Sequence, residues 1–205
     1  MYVLTADQRA SRVNADAVPS ALAVVARHGS DRLALPPERT AGDELQVAVA
    51  DASAVLSIVL ELTRSGEWSV GLGVGDVESP LPQSVRAARG EAFINARDAV
   101  DRAKKTPTRL AVTAPAGGED AEALVRLLVE LRDRRTPEGW EVYDLLADGL
   151  TQRDAAARLG VSEGAISLRA KAAALRVEEA AVPALERVLA RLDDATPATA
   201  PDAQG

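Results

Sequence analysis

Hydrophobic positions along the 205-residue chain follow two regimes: short alternating runs interleaved with helical spacings up to about residue 115, then helical spacing alone. YVLTA (2–6) is a short β-rich run ending in Asp7, and residues 16–28 carry Ala, Val and Leu at helical spacing, with Pro19 tolerable in the first turn. RLALPPERT (32–40) and ELQVAVA (44–50) flank Ala41-Gly42-Asp43 and read as the arms of a hairpin turning at the Gly-Asp pair. Pro36 and Pro37 place the first arm at a sheet edge. A helix is expected from Ala52 to Ser65, with Val55, Ile58, Val59 and Leu62 on its apolar side, Asp51 or Ser53 as its cap, and Gly66 as its stop.

WSVGLGVGDV (68–77) alternates apolar residues with glycines, the pattern of a strand approached closely by another backbone or a ligand. A long loop, 78–90, precedes a helix at 91–105 and a last strand at 108–114, before the Gly117-Gly118 break. The order β-α-β-β-α-β-α-β predicts an α+β domain, ferredoxin-like, with helices on one face of a mixed or antiparallel sheet. Beyond Glu119 only helices are expected, at about 119–135, 138–148, 151–159, 163–175 and 177–193. The domains predicted are a sheet domain at 1–115, a connecting helix at 116–136, an all-α helix-turn-helix domain at 137–194, and a disordered tail at 195–205 poor in large apolar groups.

The chain has no cysteine, which excludes disulfides, thiolate metal sites and Cys nucleophiles. No apolar run approaches the roughly 20 residues a bilayer requires, so a cytoplasmic protein without membrane contact is expected. The net charge of −7 argues against a general nucleic-acid coat, yet its distribution is uneven. Residues 150–176 carry +3, whereas 1–115 carry −1, 116–149 carry −5 and 177–205 carry −4.

That basic island coincides with GLTQRDAAARLGVSEGAISLRAKAAAL (149–175), which has helix-turn-helix spacing. Thr151 can cap a first helix with Asp154 as its partner, Ala156 is small where two helices cross, and Gly160 supplies the positive φ of the turn. Ser162 can cap the second helix; Leu159, Val161 and Ile166, joined by Trp140, Leu145, Leu146 and Leu150, supply a shared core. The second helix would enter the major groove of double-stranded DNA, with Ser162, Glu163, Gly164, Ser167 and Arg169 near base edges. Arg169 suits a bidentate pair with guanine, and Arg153, Lys171 and Arg176 suit phosphates. A plain helical hairpin in an interaction module is the bland alternative. Ala181, Leu185, Val188, Leu189 and Leu192 then form an apolar stripe, which either meets its copy in a homodimer or packs back on its own chain.

YVLTADQRASR, ERTAGDELQ, WSVGLGVGDVE, ARGEAFINARDAV and LTQRDAAARLGVSEGAISLR together resemble SatD-family proteins over nearly the whole chain. The resemblance implies a two-part architecture more than an activity. The amino-terminal half is also similar to a class III nucleotidyl cyclase domain, carried by Asp7, Gly42-Asp43, the Val70–Gly75 strand and Gly90 with Asn95. That likeness implies a nucleotidyl-cyclase-like fold in which Asp7 and Asp43 hold Mg²⁺ and a nucleotide effector lies near Gly42, Arg86, Arg89 and Asn95. Paired carboxylates at strand ends suit Mg²⁺. Two departures stand out: Ala99 occupies the place of the cyclase arginine, and Glu38-Arg39-Thr40 replaces a base-selecting lysine. Asp7 and Asp43 also suit a helix cap and a turn. The lone His28 has no metal-ligand spacing and reads as a helix-end residue. The reading is a DNA-binding transcriptional regulator with a non-catalytic sensing or dimerisation domain. The alternatives are a metal-dependent nucleotide enzyme and an interaction module with a relic helix-turn-helix.

Overall fold

The structure, a computed structural model, describes residues 1–194; the tail expected to be disordered lies outside the described residues. The chain forms two compact units, one made of Met1–Arg126 with the chain from Leu185 on, the other of Leu127–Ala184. It is α+β, with one five-stranded mixed sheet and, among the described residues, eight α-helices.

The first unit runs β1 (Tyr2–Gln8), α1 (Val18–Gly29), β2 (Leu33–Ala41), β3 (Glu44–Val49), α2 (Ala52–Arg64), β4 (Trp68–Val74), α3 (Glu91–Ala103) and β5 (Leu110–Thr113). Strand order is β2-β3-β1-β4-β5, with β1 central and antiparallel to both neighbours. The first four strands and two helices thus make the ferredoxin-like βαββαβ arrangement, and β5 adds parallel to β4 after the α3 crossover. The Pro36-Pro37 pair lies in β2, at the sheet edge, where missing N–H donors cost no ladder bond. Gly42, at φ 47°, makes the hairpin turn. Asp51 settles the choice of cap for α2: its carboxylate accepts the Ala54 N–H at 2.8 Å.

Helices cover both faces of the sheet, not one. α1 and α2 pack on each other, with α1 against β2 and β3 and α2 against β1 and β4. α3 lies against β4, β5 and β1 on the opposite face, where Gly71 and Gly73 of β4 point. The reason is in β4, which is buried along its whole length and offers no polar face to water. The glycines exist for α3: a Cβ on Gly71 would sit 2.2 Å from the Val100 nitrogen, and one on Gly73 would sit 2.1 Å from the Ala96 nitrogen. Ala92, Ala96, Ala99 and Ala103 give α3 the matching flat side. His28, in the last turn of α1, places Nδ1 2.8 Å from the Ser57 hydroxyl of α2, and partial burial holds its pKa below the ordinary histidine value.

The second unit holds the end of α4 (Gly118–Asp133), α5 (Pro137–Ala147), α6 (Gln152–Leu159), α7 (Glu163–Ala172) and the start of α8 (Leu175–Asp194). From Leu185 on, α8 belongs to the first unit, where Leu185, Leu189 and Leu192 are buried. There the Tyr2 hydroxyl donates to the Leu189 carbonyl at 3.0 Å, and the Met1 ammonium pairs with Asp193. Of the two fates open to the leucine stripe, packing on its own chain is the one realised, so these leucines offer no dimer face.

Backbone contact at Gly73 and backbone conformation at Gly160, whose φ is 67° with nothing within 4 Å of an added Cβ, should separate in a stability measurement. Gly73→Ala should cost about 3 kcal/mol in urea denaturation, because neither backbone can yield. Gly160→Ala should cost only about 1 kcal/mol, the strain of a left-handed alanine. The reverse order would contradict the packing described.

Candidate functional site

The α6-turn-α7 pair forms from local signals that its own side chains complete. The Thr151 hydroxyl accepts the Asp154 N–H at 3.2 Å while Asp154 accepts the Thr151 N–H at 3.4 Å, a reciprocal cap that starts α6. Gly160 ends it in the left-handed region, and the Ser162 hydroxyl accepts the Ala165 N–H at 3.2 Å to start α7. Val142 of α5, Ala155 and Ala156 of α6 and Ile166 of α7 form the buried core, with Leu145, Leu146, Leu159 and Val161 around it.

Ser162, Glu163, Gly164, Ser167, Lys171 and Arg176 are exposed. Arg153 is exposed too, with Nε 3.3 Å from Glu163, so it bridges the starts of α6 and α7. Ser167, Lys171 and Arg176 line one groove of about 360 Å³ with Gln152. Arg169 departs from this group: it is half-buried, and its Nη1 lies 3.5 Å from Glu141 of α5. Sequence reasoning passed over Leu168, which lies in the same helix and is 70% exposed. Its signal was an apolar residue on the polar side of the α7 pattern.

It also passed over what holds this helix in place. Arg132 and Arg135, both buried, converge on the buried carboxylate of Glu178, each in an ion pair. Trp140 and Tyr143 of α5 meet edge to face at 5.3 Å between centroids, and both guanidiniums lie over these rings at 4.6–5.2 Å. Arg135 Nε donates to the Ala173 carbonyl at 3.0 Å, next to the left-handed Ala174 that ends α7. Trp140, expected in the helix-turn-helix core, serves this cluster.

In the first unit, Asp7 and Asp43 line one cleft of about 800 Å³ at the end of β1, together with Arg12, Lys104 and Arg109. Gly42 sits beside Asp43 in an adjoining hollow. The carboxylates are not set out as a metal cage. Lys104 Nζ lies 2.9 Å from Asp7, Ser11 donates to Asp43, and among the described residues no group of three or more His, Asp or Glu is gathered for a metal. Partial burial opposes the Lys104 charge, yet the Asp7 hydrogen bond and the attraction of Asp7 and Asp101 hold its pKa above the ordinary lysine value. A divalent ion could reach Asp7 only by displacing that ammonium.

The remaining nucleotide candidates lie elsewhere. Asn95 Nδ2 donates to the Val74 carbonyl at 2.7 Å and ties α3 to β4. The Arg86 N–H reaches Glu38, and Arg89 donates to the Arg86 and Ala88 carbonyls. Neither these arginines nor Asn95 lines the cleft. Ala99 is buried against Ala103 and Ala111, so that position faces packing rather than solvent. Arg97 pairs with Glu44 of β3.

No helix among the described residues is long and apolar enough to cross a membrane. No family model matches the chain, nor does any curated protein. Among solved structures, the regulator of polyketide synthase expression from Bifidobacterium adolescentis covers 94% of this chain and 79% of its own, at 16% identity and a TM-score of 0.24. A likeness that slight carries no argument about fold or function.

Removing the charge of Glu178 would take from two buried guanidiniums the carboxylate on which they converge. Glu178→Gln should therefore destabilise the second unit by about 3–5 kcal/mol, read as a lower denaturation midpoint followed by Trp140 fluorescence. Glu163→Gln, which removes only the exposed Arg153 pair, should cost under about 1 kcal/mol. Comparable losses would mean that the buried cluster does not organise the unit.

Proposed function

We propose that this protein is a sequence-specific DNA-binding regulator of transcription, with α7 in the major groove of double-stranded DNA. One observation carries the reading. The capped α6-turn-α7 pair leaves an outward face on α7 that its own core does not use, and the +3 segment spans that pair and the start of α8 in a chain of net charge −7. Phosphate attraction needs a local basic surface rather than a basic protein. Arg153, Lys171 and Arg176 take the phosphate role, since they are exposed and can move. Gly164 and Ser167 face the bases with Glu163 and Ser162 at the helix start. Arg169 reads guanine only after leaving Glu141, so Glu141 acts as its internal competitor.

A second reading attaches to the first unit, favoured by Asp7 and Asp43 meeting in one cleft. There a nucleotide effector with Mg²⁺ would bind in a sensing role, with the ion replacing Lys104 at Asp7. Turnover is not expected, because Ala99 is buried and no arginine stands in its place. The SatD-family resemblance supports the pairing of such a domain with a DNA reader, and it rests on the sequence segments alone.

In a binding titration on a selected duplex, Lys171→Ala should weaken specific and random DNA alike and lower the salt slope by about one unit. Arg169→Ala should cost about 1–3 kcal/mol on the selected site only, and Glu141→Gln should tighten binding by freeing Arg169. Salt-independent binding, or no binding to any duplex, would overturn the regulator reading.

For the cleft, Mg²⁺ with a purine nucleotide at 100 times its dissociation constant should add about 2.7 kcal/mol of stability, visible as a higher thermal midpoint. Asp43→Asn should abolish the rise, and Lys104→Met should enlarge it by removing the competing ammonium. A flat response in both the wild type and Lys104→Met would leave Asp7 and Asp43 as ion-pair and turn residues.

A further inference from the structure

Two residues of α7 have no account in the packing of the second unit. The first is Gly164. A Cβ built there meets nothing closer than the Ser162 hydroxyl oxygen at 3.8 Å, an ordinary contact, and its backbone is not among the left-handed ones. Glycine in the middle of a helix costs about 0.5–1 kcal/mol relative to alanine, and in the first turn, where Gly164 sits, less, but no packing contact repays it. Gly71 and Gly73, by contrast, are demanded by the α3 backbone. The second is Leu168, one helical turn further on, which leaves 70% of its surface in water. Residues four apart on a helix share a face, so the missing side chain and the exposed leucine are neighbours. Ile166, on the other side, is fully buried in the core, which fixes that face as outward.

A glycine beside an exposed apolar group suits a partner that comes close to the helix backbone and offers one small apolar contact. The flanking charge selects the partner: Lys171 is exposed in the next turn and shares a groove with Arg176 at the start of α8, and Arg153 is exposed on α6. A basic surround argues for a polyanion, and in the major groove of duplex DNA the apolar group on offer is the thymine 5-methyl.

We propose that Leu168 reads a thymine methyl group and that Gly164 is a specificity determinant by absence, letting α7 sit deep enough for that contact. The proposal rests on the DNA-binding reading and adds a base preference to it.

The experiment selects a duplex from a random library with the full chain, then replaces each thymine singly by deoxyuridine, which removes the methyl and keeps every hydrogen-bonding group. One thymine should prove sensitive, with affinity falling about fourfold, the equivalent of burying one methyl at ~0.8 kcal/mol. Leu168→Ala should weaken the thymine duplex and erase the difference between thymine and deoxyuridine at that position alone. Gly164→Ala should weaken binding at least tenfold while leaving the thermal midpoint equal or higher, a result that loss of folding cannot produce. Enrichment of a duplex without any methyl-sensitive position, or discrimination that survives Leu168→Ala, overturns the proposal and leaves the DNA reading standing. Unchanged binding by Gly164→Ala overturns the close-approach role. Failure to enrich any duplex overturns the DNA reading and this proposal together.

Discussion

The geometry of the second unit turns on a single buried carboxylate. Glu178, at the start of α8, accepts from Arg132 and Arg135, and those guanidiniums in turn lie over Trp140 and Tyr143 of α5. Two guanidiniums converging on one buried carboxylate draw further support from those rings, whose faces attract cations. Arg135 extends the constraint to α7 by donating to the Ala173 carbonyl, one of those that a helix end leaves without a partner. One ionic cluster thus sets how α5, α7 and α8 lie within this unit, and hence which side of α7 is outward.

The seam between α3 and β4 in the first unit follows a different logic, with small groups instead of charge. Gly71 and Gly73 let the α3 backbone approach β4 to within direct contact, and the alanines of α3 complete a smooth seam. Close packing of small groups leaves little room for adjustment, so the seam is rigid. Charge appears where the sheet ends. Asp7, Lys104, Asp43 and Arg109 share one cleft there, and the Asp7–Lys104 pair satisfies in advance the carboxylate that a cation would need. The same ammonium makes the cleft more receptive to anions than two bare aspartates would be.

The two proposed activities draw on groups in different states. Lys171 on α7 and Arg176 at the start of α8 are exposed, and Arg153 on α6 is held by a surface pair that water and salt weaken. Such groups can be recruited by phosphates at little cost. Arg169 is partly committed to Glu141, which makes it a conditional contact and therefore a discriminating one. In the cleft, by contrast, an incoming ligand must break an existing ion pair before it binds.

By itself the sequence determined the order of elements, the β2-β3 hairpin, the caps at Thr151 and Ser162, and the turn at Gly160, and it narrowed the α2 cap to Asp51 or Ser53, because each depends on residues within a few positions of one another. It also marked the glycine-rich strand as one that another backbone or a ligand approaches, and it placed Asp7 and Asp43 at neighbouring strand ends. Only the tertiary structure decided what covers what. The second helical layer over the sheet, the burial of Leu185 and Leu189 within their own chain, the diversion of Arg169 to Glu141, and the meeting of Arg132 with Glu178 all join residues distant in sequence. Periodicity states that a face is apolar or that an arginine is present. It carries no information about the partner, since apolar attraction is non-directional and a guanidinium accepts any carboxylate within reach. Lys104 is the clearest instance: nothing near it in sequence announces Asp7, and folding alone brings the two to 2.9 Å and changes what the cleft can bind.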